Sequence, residues 1–169
     1  MSTPDDWAKA YARQADADFK AWELYQKYPE AAAAECHKLL FLQMACEKLC
    51  KAYVLRAGVH KPDDVQTSHG FIQKHLPVIM RQEIANSRRF PRNPRPLLSK
   101  IRQLCGEIEI LNPSMKRGNH RPDNCEYPWE VGKKVVSPLD HTFIVTQLLM
   151  MNVGITFLKL LRRAIDQNL

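Results

Sequence analysis

The sequence lacks the features that mark several classes of protein. Its five cysteines are an odd number and include no C-x-x-C pair, so neither a zinc site nor a disulfide framework is expected, and we predict no metal and no other cofactor. Residues 1–6 contain no basic segment followed by an apolar run, so a secretory signal is not expected. Apolar residues make up 45% of the chain, which excludes wholesale disorder. These absences favour a reduced, cytoplasmic globular protein.

Long apolar segments are also scarce. Residues 142–158 carry no formal charge, which puts this segment at the lower length limit for a membrane span. The segment includes polar residues such as Gln147 and Asn152, and a helix in a protein core has the same composition. We therefore interpret it as a core helix and expect no association with a membrane.

Acidic residues are few in the second half of the chain. Residues 1–80 contain ten basic and ten acidic side chains, whereas the remaining residues contain fifteen basic and eight acidic ones. Glu83 is the one acid within a run of seven cations: Arg81, Arg88, Arg89, Arg92, Arg95, Lys100 and Arg102. Such a cluster suits phosphate backbones, and we predict nucleic-acid contacts from Arg88, Arg89, Arg92 and Arg95. A solubility surface, or a patch that faces an acidic protein, is the alternative.

Apolar spacing predicts helices in the first half of the chain. Thr3 and Pro4 provide the N-cap and first residue of a helix of about 24 residues that ends at Tyr28. Residues 30–56 contain no glycine or proline and carry apolar side chains on two faces, so this long helix is either central in a bundle or shared by two subunits. A polar loop at residues 61–64 precedes a third helix that opens near Ser68.

The second half adds further helices and one long loop. Three prolines make residues 88–96 irregular, and helical spacing resumes over residues 97–111. Residues 112–140 show no helical period, and a short β-hairpin around Gly132 is expected there. Ser137 and Pro138 restart helical structure, in which Gly154 is the candidate for a break. We expect an all-α protein in which residues 1–169 form one domain, an antiparallel up-and-down bundle of five or six helices.

One stretch of the long helix resembles a known family. Residues 43–52 read Gln-Met-Ala-Cys-Glu-Lys-Leu-Cys-Lys-Ala, and residues 68–71 read Ser-His-Gly-Phe. This pattern resembles the HEPN superfamily, whose sequences carry a Q-x-A-x-E-K-x-x-K-A signature followed by an H-x-[LF] segment. The resemblance implies a helical bundle that dimerises through its long helices, here residues 30–56. It also implies partners such as RNA, a nucleotide or a minimal nucleotidyltransferase, in some members within a toxin–antitoxin pair.

Active members of that family cleave RNA without a metal, using an R-x(4–6)-H motif. No arginine in this sequence has a histidine five to seven residues downstream, since His60 follows Arg56 by four residues and His120 follows Arg117 by three. We therefore expect a module that binds without catalysis. His69 matches the family's third-helix histidine, although a histidine that caps a helix or bonds a loop carbonyl is the simpler interpretation.

The long loop holds the other candidate site. Lys116, Arg117, His120 and Arg121 are followed by Glu126, Tyr127 and Trp129, a combination of cations, imidazole and aromatic rings that suits RNA or a nucleotide. A solvated basic loop anchored by Tyr127 and Trp129 is the alternative.

Two further functions remain as hypotheses beside the binding module. The first is an endoribonuclease in which His120 accepts the 2′-hydroxyl proton while Arg117 or Arg121 holds the phosphate. The second is a structural oligomer whose basic surface binds an acidic protein.

Overall fold

The computed structural model describes residues 2–28, 33–87, 93–115 and 123–169. Within them the α-helices are α1 (Pro4–Lys27), α2 (Glu35–Arg56), α3 (Pro62–Gln66), α4 (Ile72–Ala85), α5 (Arg95–Glu109), α6 (Ile144–Met150) and α7 (Asn152–Asn168). Strands β1 (Trp129–Val131) and β2 (Lys134–Val136) form an antiparallel pair, and Pro138–Asp140 is a turn of 3₁₀-helix. The expected all-α bundle with a short hairpin is confirmed.

Helix α1 begins and ends as its sequence predicts. The Thr3 hydroxyl accepts the Asp6 N–H at 3.2 Å, and the Asp6 carboxylate accepts the Thr3 N–H at 2.8 Å. These two hydrogen bonds satisfy donors that an uncapped helix leaves free. The helix spans 24 residues, with Pro4 as its first.

Helix α2 begins later than predicted and is central in the bundle. Residues 29–32 lie outside the described part of the chain, and Ala34 is the N-cap of a helix that opens at Glu35 instead of residue 30. Residues 33 and 34 belong to the connection that lets α1 and α2 run in opposite directions, so their helix propensity is overridden. Only His37 and Arg56 of α2 are exposed, because the chain's own α1, α4, α5 and α7 cover it. This position explains the two apolar faces.

The segment between α2 and α4 corrects the prediction of a loop followed by a helix at Ser68. Pro62 opens the short helix α3, and the Asp64 carboxylate accepts the Lys61 N–H at 3.2 Å. Ser68 instead belongs to the connection to α4, where Gly70 has φ +87°. Helix α4 then runs uninterrupted through Pro77.

The hairpin and the C-terminal helices complete the bundle. Trp129 pairs with Val136 and Val131 with Lys134, and Gly132 takes φ +65° in the turn between the strands. Pro138 begins the 3₁₀ turn, with the Ser137 hydroxyl accepting the Leu139 N–H.

The predicted helix break at Gly154 is wrong by about one turn. The chain bends by 82° between α6 and α7, at Met151. Gly154 lies in the first turn of α7, where an added Cβ would lie 2.3 Å from the Leu149 Cα. Its lack of a side chain therefore lets the two helices meet closely. No single helix in the described ranges is long and apolar enough to cross a membrane, although the bent pair passes that test by length and composition when taken together.

Candidate functional site

Three arginines converge on a cleft between α4 and α5. Arg81 comes from α4, while Arg95 and Arg102 are seven residues apart, about two turns, on one face of α5. Together with Asn93, Pro94 and Leu98 they line a cavity of about 730 Å³. All three arginines are exposed to solvent.

The charges of these three arginines are not neutralised by other described residues. None of the three forms an ion pair there, whereas Arg162 bonds Asp16 at 2.7 Å and Asp166 at 2.6 Å. Arg163 lies 3.5 Å from Glu83. Because like charges that share a cleft reinforce one another's potential, this cleft attracts anions.

Most of the predicted cationic contacts lie outside the described residues. This applies to Arg88, Arg89 and Arg92, and also to Lys116, Arg117, His120 and Arg121. Among the predicted nucleic-acid contacts, Arg95 is in the cleft, and Asn93, which follows the 88–92 segment, also lines it. Arg81 and Arg102 belong to the basic run in the sequence but were not among the predicted nucleic-acid contacts; the seven-residue spacing of Arg95 and Arg102 could have indicated that these two share a helix face.

The two aromatic candidates in the long loop have different surroundings. The Asn124 side chain accepts the N–H groups of Glu126 and Tyr127 at 2.9 and 2.7 Å, and this turn leaves Tyr127 59% exposed. Trp129 is buried, with its ring 5.1 Å from that of His141. Trp129 therefore packs inside the fold, whereas Tyr127 and Glu126 stay at the surface.

A buried carboxylate joins α2 to two distant segments. Glu47 Oε1 lies 2.8 Å from Lys51 Nζ and 3.1 Å from His69 Nδ1. Glu47 Oε2 accepts from Gln43 Nε2 at 2.9 Å and from Asn112 Nδ2 at 3.4 Å. Burial opposes ionisation of Glu47, but the hydrogen bond and charge of Lys51, with Gln43 and His69, hold the pKa of Glu47 below its usual value. The carboxylate is therefore ionised inside the bundle.

Only part of this network is local in the sequence. Glu47 and Lys51 are one helical turn apart, a spacing that favours an ion pair, and the structure shows that contact. A helix cap or a loop carbonyl was the expected partner of His69, whereas in the structure its Nδ1 lies 3.1 Å from the Glu47 carboxylate, which only the fold brings to residue 69. The positions Gln43, Glu47 and Lys51 that carry the family resemblance all meet in this network.

A second buried carboxylate caps α4 from the side. Glu109 Oε1 accepts the Gln73 N–H at 3.0 Å, which satisfies a donor in the first turn of α4. Burial raises the pKa of Glu109, against the hydrogen bonds from the backbone of residues 73 and 72. The N-terminus of α4 is thus occupied by a group of this chain.

Comparisons with known proteins bring no assignment. A scan against protein-family models found no match, and searches of curated proteins and of solved structures found none either. Within the described ranges, no group of three or more His, Cys, Asp or Glu side chains is arranged to hold a metal ion.

Proposed function

We propose that this protein is a HEPN-like helical module that binds the phosphate backbone of single-stranded RNA without cleaving it. The observation that carries the proposal is the convergence of Arg81, Arg95 and Arg102 on one open cleft with no carboxylate to neutralise them among the described residues. Arginine suits this role because its planar guanidinium donates two parallel hydrogen bonds to a phosphate.

The charge distribution along the chain supports the same function. The excess of basic residues lies after residue 80, and the 88–92 segment, which joins the two helices of the cleft, adds three arginines to the sequence. Each phosphate that a cation neutralises releases bound counterions, so a cluster of this kind binds polyanions in a salt-dependent way.

Binding of a fluorescent single-stranded RNA, followed by anisotropy across a salt series, tests the proposal. The variant Arg81→Gln/Arg95→Gln/Arg102→Gln removes the cleft's charge. The control Lys133→Gln/Lys134→Gln/Lys159→Gln removes three exposed cations that are not in ion pairs with other described residues. We expect only the first variant to weaken binding and to lower the slope of log K against log salt by about two. An equal loss of RNA affinity in both variants would mean that RNA binds to the overall positive charge and not to the cleft.

The same RNA, incubated with the protein and analysed by electrophoresis, tests the absence of cleavage. We expect the RNA to remain intact. Cleavage that disappears in His120→Ala would instead support the endoribonuclease hypothesis, with His120 and Arg117 or Arg121 in the roles assigned above.

A homodimer through residues 30–56 and a nucleotidyltransferase partner remain predictions of the family resemblance. Sedimentation equilibrium tests the dimer. The fact that α2 is covered by helices of its own chain means that a dimer would use the edges of this helix together with its neighbours.

A further inference from the structure

A second cavity, separate from the arginine cleft, is lined by three histidines and a lysine. It has a volume of about 310 Å³ and lies where the α2–α3 connection, α3 and the start of α4 meet. Its lining residues are His60, Asp64, Ser68, His69, Gly70, Phe71, Lys74 and His75. The one carboxylate among them, Asp64, already accepts the Lys61 N–H at the start of α3. The lining side-chain groups that can donate N–H bonds to a ligand are the Lys74 ammonium and the imidazoles of His60 and His75.

The network around Glu47 fixes the orientation of His69 in this cavity. Because Glu47 is ionised, the His69 Nδ1 atom at 3.1 Å carries a proton and donates it to the carboxylate. Asn112 Nδ2 also lies 3.2 Å from Nδ1 and 3.4 Å from Glu47 Oε2, and the carboxylate is the stronger acceptor for its N–H. The His69 side chain is 37% exposed, and its Nε2 atom has no partner among the described residues. Nε2 is thus available to a ligand as a hydrogen-bond acceptor.

The other two histidines form one side of the cavity with Phe71. The His60 ring lies 5.7 Å from Phe71 and 6.2 Å from His75, and Phe71 stacks on His75 at 5.9 Å. Burial lowers the pKa of His75, and the charges of Lys74 and His60 lower it further. The field at His75 is therefore positive, so a bound anion would lower the cost of protonating this ring.

Charged and titratable groups from every neighbouring element face this region. They are Tyr11 of α1, Glu47 and Lys51 of α2, His60 of the connection, Asp64 of α3, His69, and Lys74 and His75 of α4. Glu47 and Lys51 neutralise each other below Phe71, where Lys51 Nζ lies 5.6 Å from the ring. Glu109 of α5 also lies beside the start of α4, where it accepts the Gln73 N–H.

We infer that this cavity binds a phosphate monoester, held by the Lys74 ammonium and by the imidazole N–H group of His75. A phosphate monoester presents several acceptor oxygens and a charge near −2 at neutral pH, which matches a cavity with several donors. Its second pKa is about 6, close to that of imidazole.

This match predicts the pH dependence of binding. Affinity for the dianion rises as the pH falls, because the bound anion favours the protonated form of His75, whose pKa is lowered in the free protein. The affinity for phosphate falls again at lower pH, because the phosphate becomes a monoanion. Sulfate stays a dianion as the pH falls, so its affinity continues to rise. A cavity that selects carboxylates, or that selects ligands by shape alone, would show neither the phosphate profile nor the sulfate profile.

Histidine-detected NMR with inorganic phosphate as the probe tests the inference. The chain has six histidines, so His37 and His141 serve as internal controls outside the cavity. We expect saturable shifts of the His60, His69 and His75 resonances only. Equal drift of all six, or no shift, would overturn the inference.

A matched pair of variants tests the contribution of Lys74. Lys74→Gln changes an exposed side chain that lines the cavity, and Lys61→Gln changes an exposed lysine beside it that does not. Loss of one charge-assisted hydrogen bond weakens phosphate binding by about tenfold or more. Binding that is the same in both variants would remove Lys74 from the site. Phosphate binding by His69→Gln is interpreted only after a thermal melt has shown that this variant folds.

Two further ligands identify the source of the phosphate. Calorimetry with adenosine monophosphate, against adenosine as the control, detects a free nucleotide. A single-stranded RNA with a 5′-phosphate, against the same RNA with a 5′-hydroxyl, detects the end of a strand. Preference for neither phosphorylated ligand would overturn the inference. Retention of nucleotide binding by the triple variant of the arginine cleft separates this site from the proposed RNA-binding function.

Discussion

Removing the Lys51 ammonium leaves a buried carboxylate without its cation. In Lys51→Met the side chain keeps its length, but Glu47 loses the partner at 2.8 Å. Breaking a buried pair costs about 3–5 kcal/mol of the free energy of unfolding. Because Gln43, His69 and Asn112 still donate to the carboxylate, we expect the lower end of that range, about 3 kcal/mol.

Urea unfolding of a double-mutant cycle measures this effect. Glu47→Gln/Lys51→Met removes both charges, so it should recover about 1–2 kcal/mol relative to Lys51→Met alone. The control Lys20→Met breaks the pair with Asp16, but the Lys20 side chain is 66% exposed and its loss costs at most about 1 kcal/mol.

The pH dependence gives a second check on the same variant. The pKa of Glu47 is lowered in the folded protein, so the stability from its ionised form is present above the unfolded pKa and is lost as the pH falls through the folded pKa. The difference between Lys51→Met and the wild type should therefore shrink as the pH is lowered from 7 towards 4. A cost no larger than that of Lys20→Met, or one independent of pH, would refute the argument.

The remaining predictions concern other buried groups. Burial raises the pKa of Glu109, so the charged form of Glu109 disfavours folding above the pKa of the unfolded state. In urea titrations, the stability of Glu109→Gln relative to the wild type should therefore increase from pH 4 to pH 7. Gly154→Ala should destabilise by about 1–3 kcal/mol because the new Cβ meets backbone at 2.3 Å. In Gly106→Ala the nearest atom is a side-chain amide at 3.6 Å, so this helical control should be stabilised by about 0.5–1 kcal/mol. All five cysteines are buried, and burial raises the pKa values of the thiols at positions 46, 50 and 105, so Ellman's reagent should react fully only after unfolding; rapid reaction of the native protein would contradict this packing.

Features with a local physical cause were predictable from the sequence. The cap formed by Thr3 and Asp6 needs only four consecutive residues, and the hairpin needs only Gly132 between two short β-prone segments. The start of α2 and the bend at Met151 were not predictable, because packing between helices decides them. Four alanines favour a helix at residues 31–34, yet residues 33 and 34 are used for the connection.

In the candidate sites too, local contacts were predictable from the sequence and contacts between distant segments were not. The composition indicated a basic region, but the closeness of Arg81 to Arg102 depends on how α4 packs on α5. Glu47, His69 and Asn112 meet across sequence separations of 22 and 65 residues, which no local pattern encodes. The pairing of Glu47 with Lys51 was predictable because the two residues are one helical turn apart.

Helix α7 packs against α1, α2, α4 and α5, and the Arg162 guanidinium bonds Asp16 of the first helix. During synthesis on the ribosome, the parts of those four helices that contact α7 stay uncovered until residues 157–165 have been made. Until α7 docks, the emerging chain therefore exposes apolar surface to which chaperones bind.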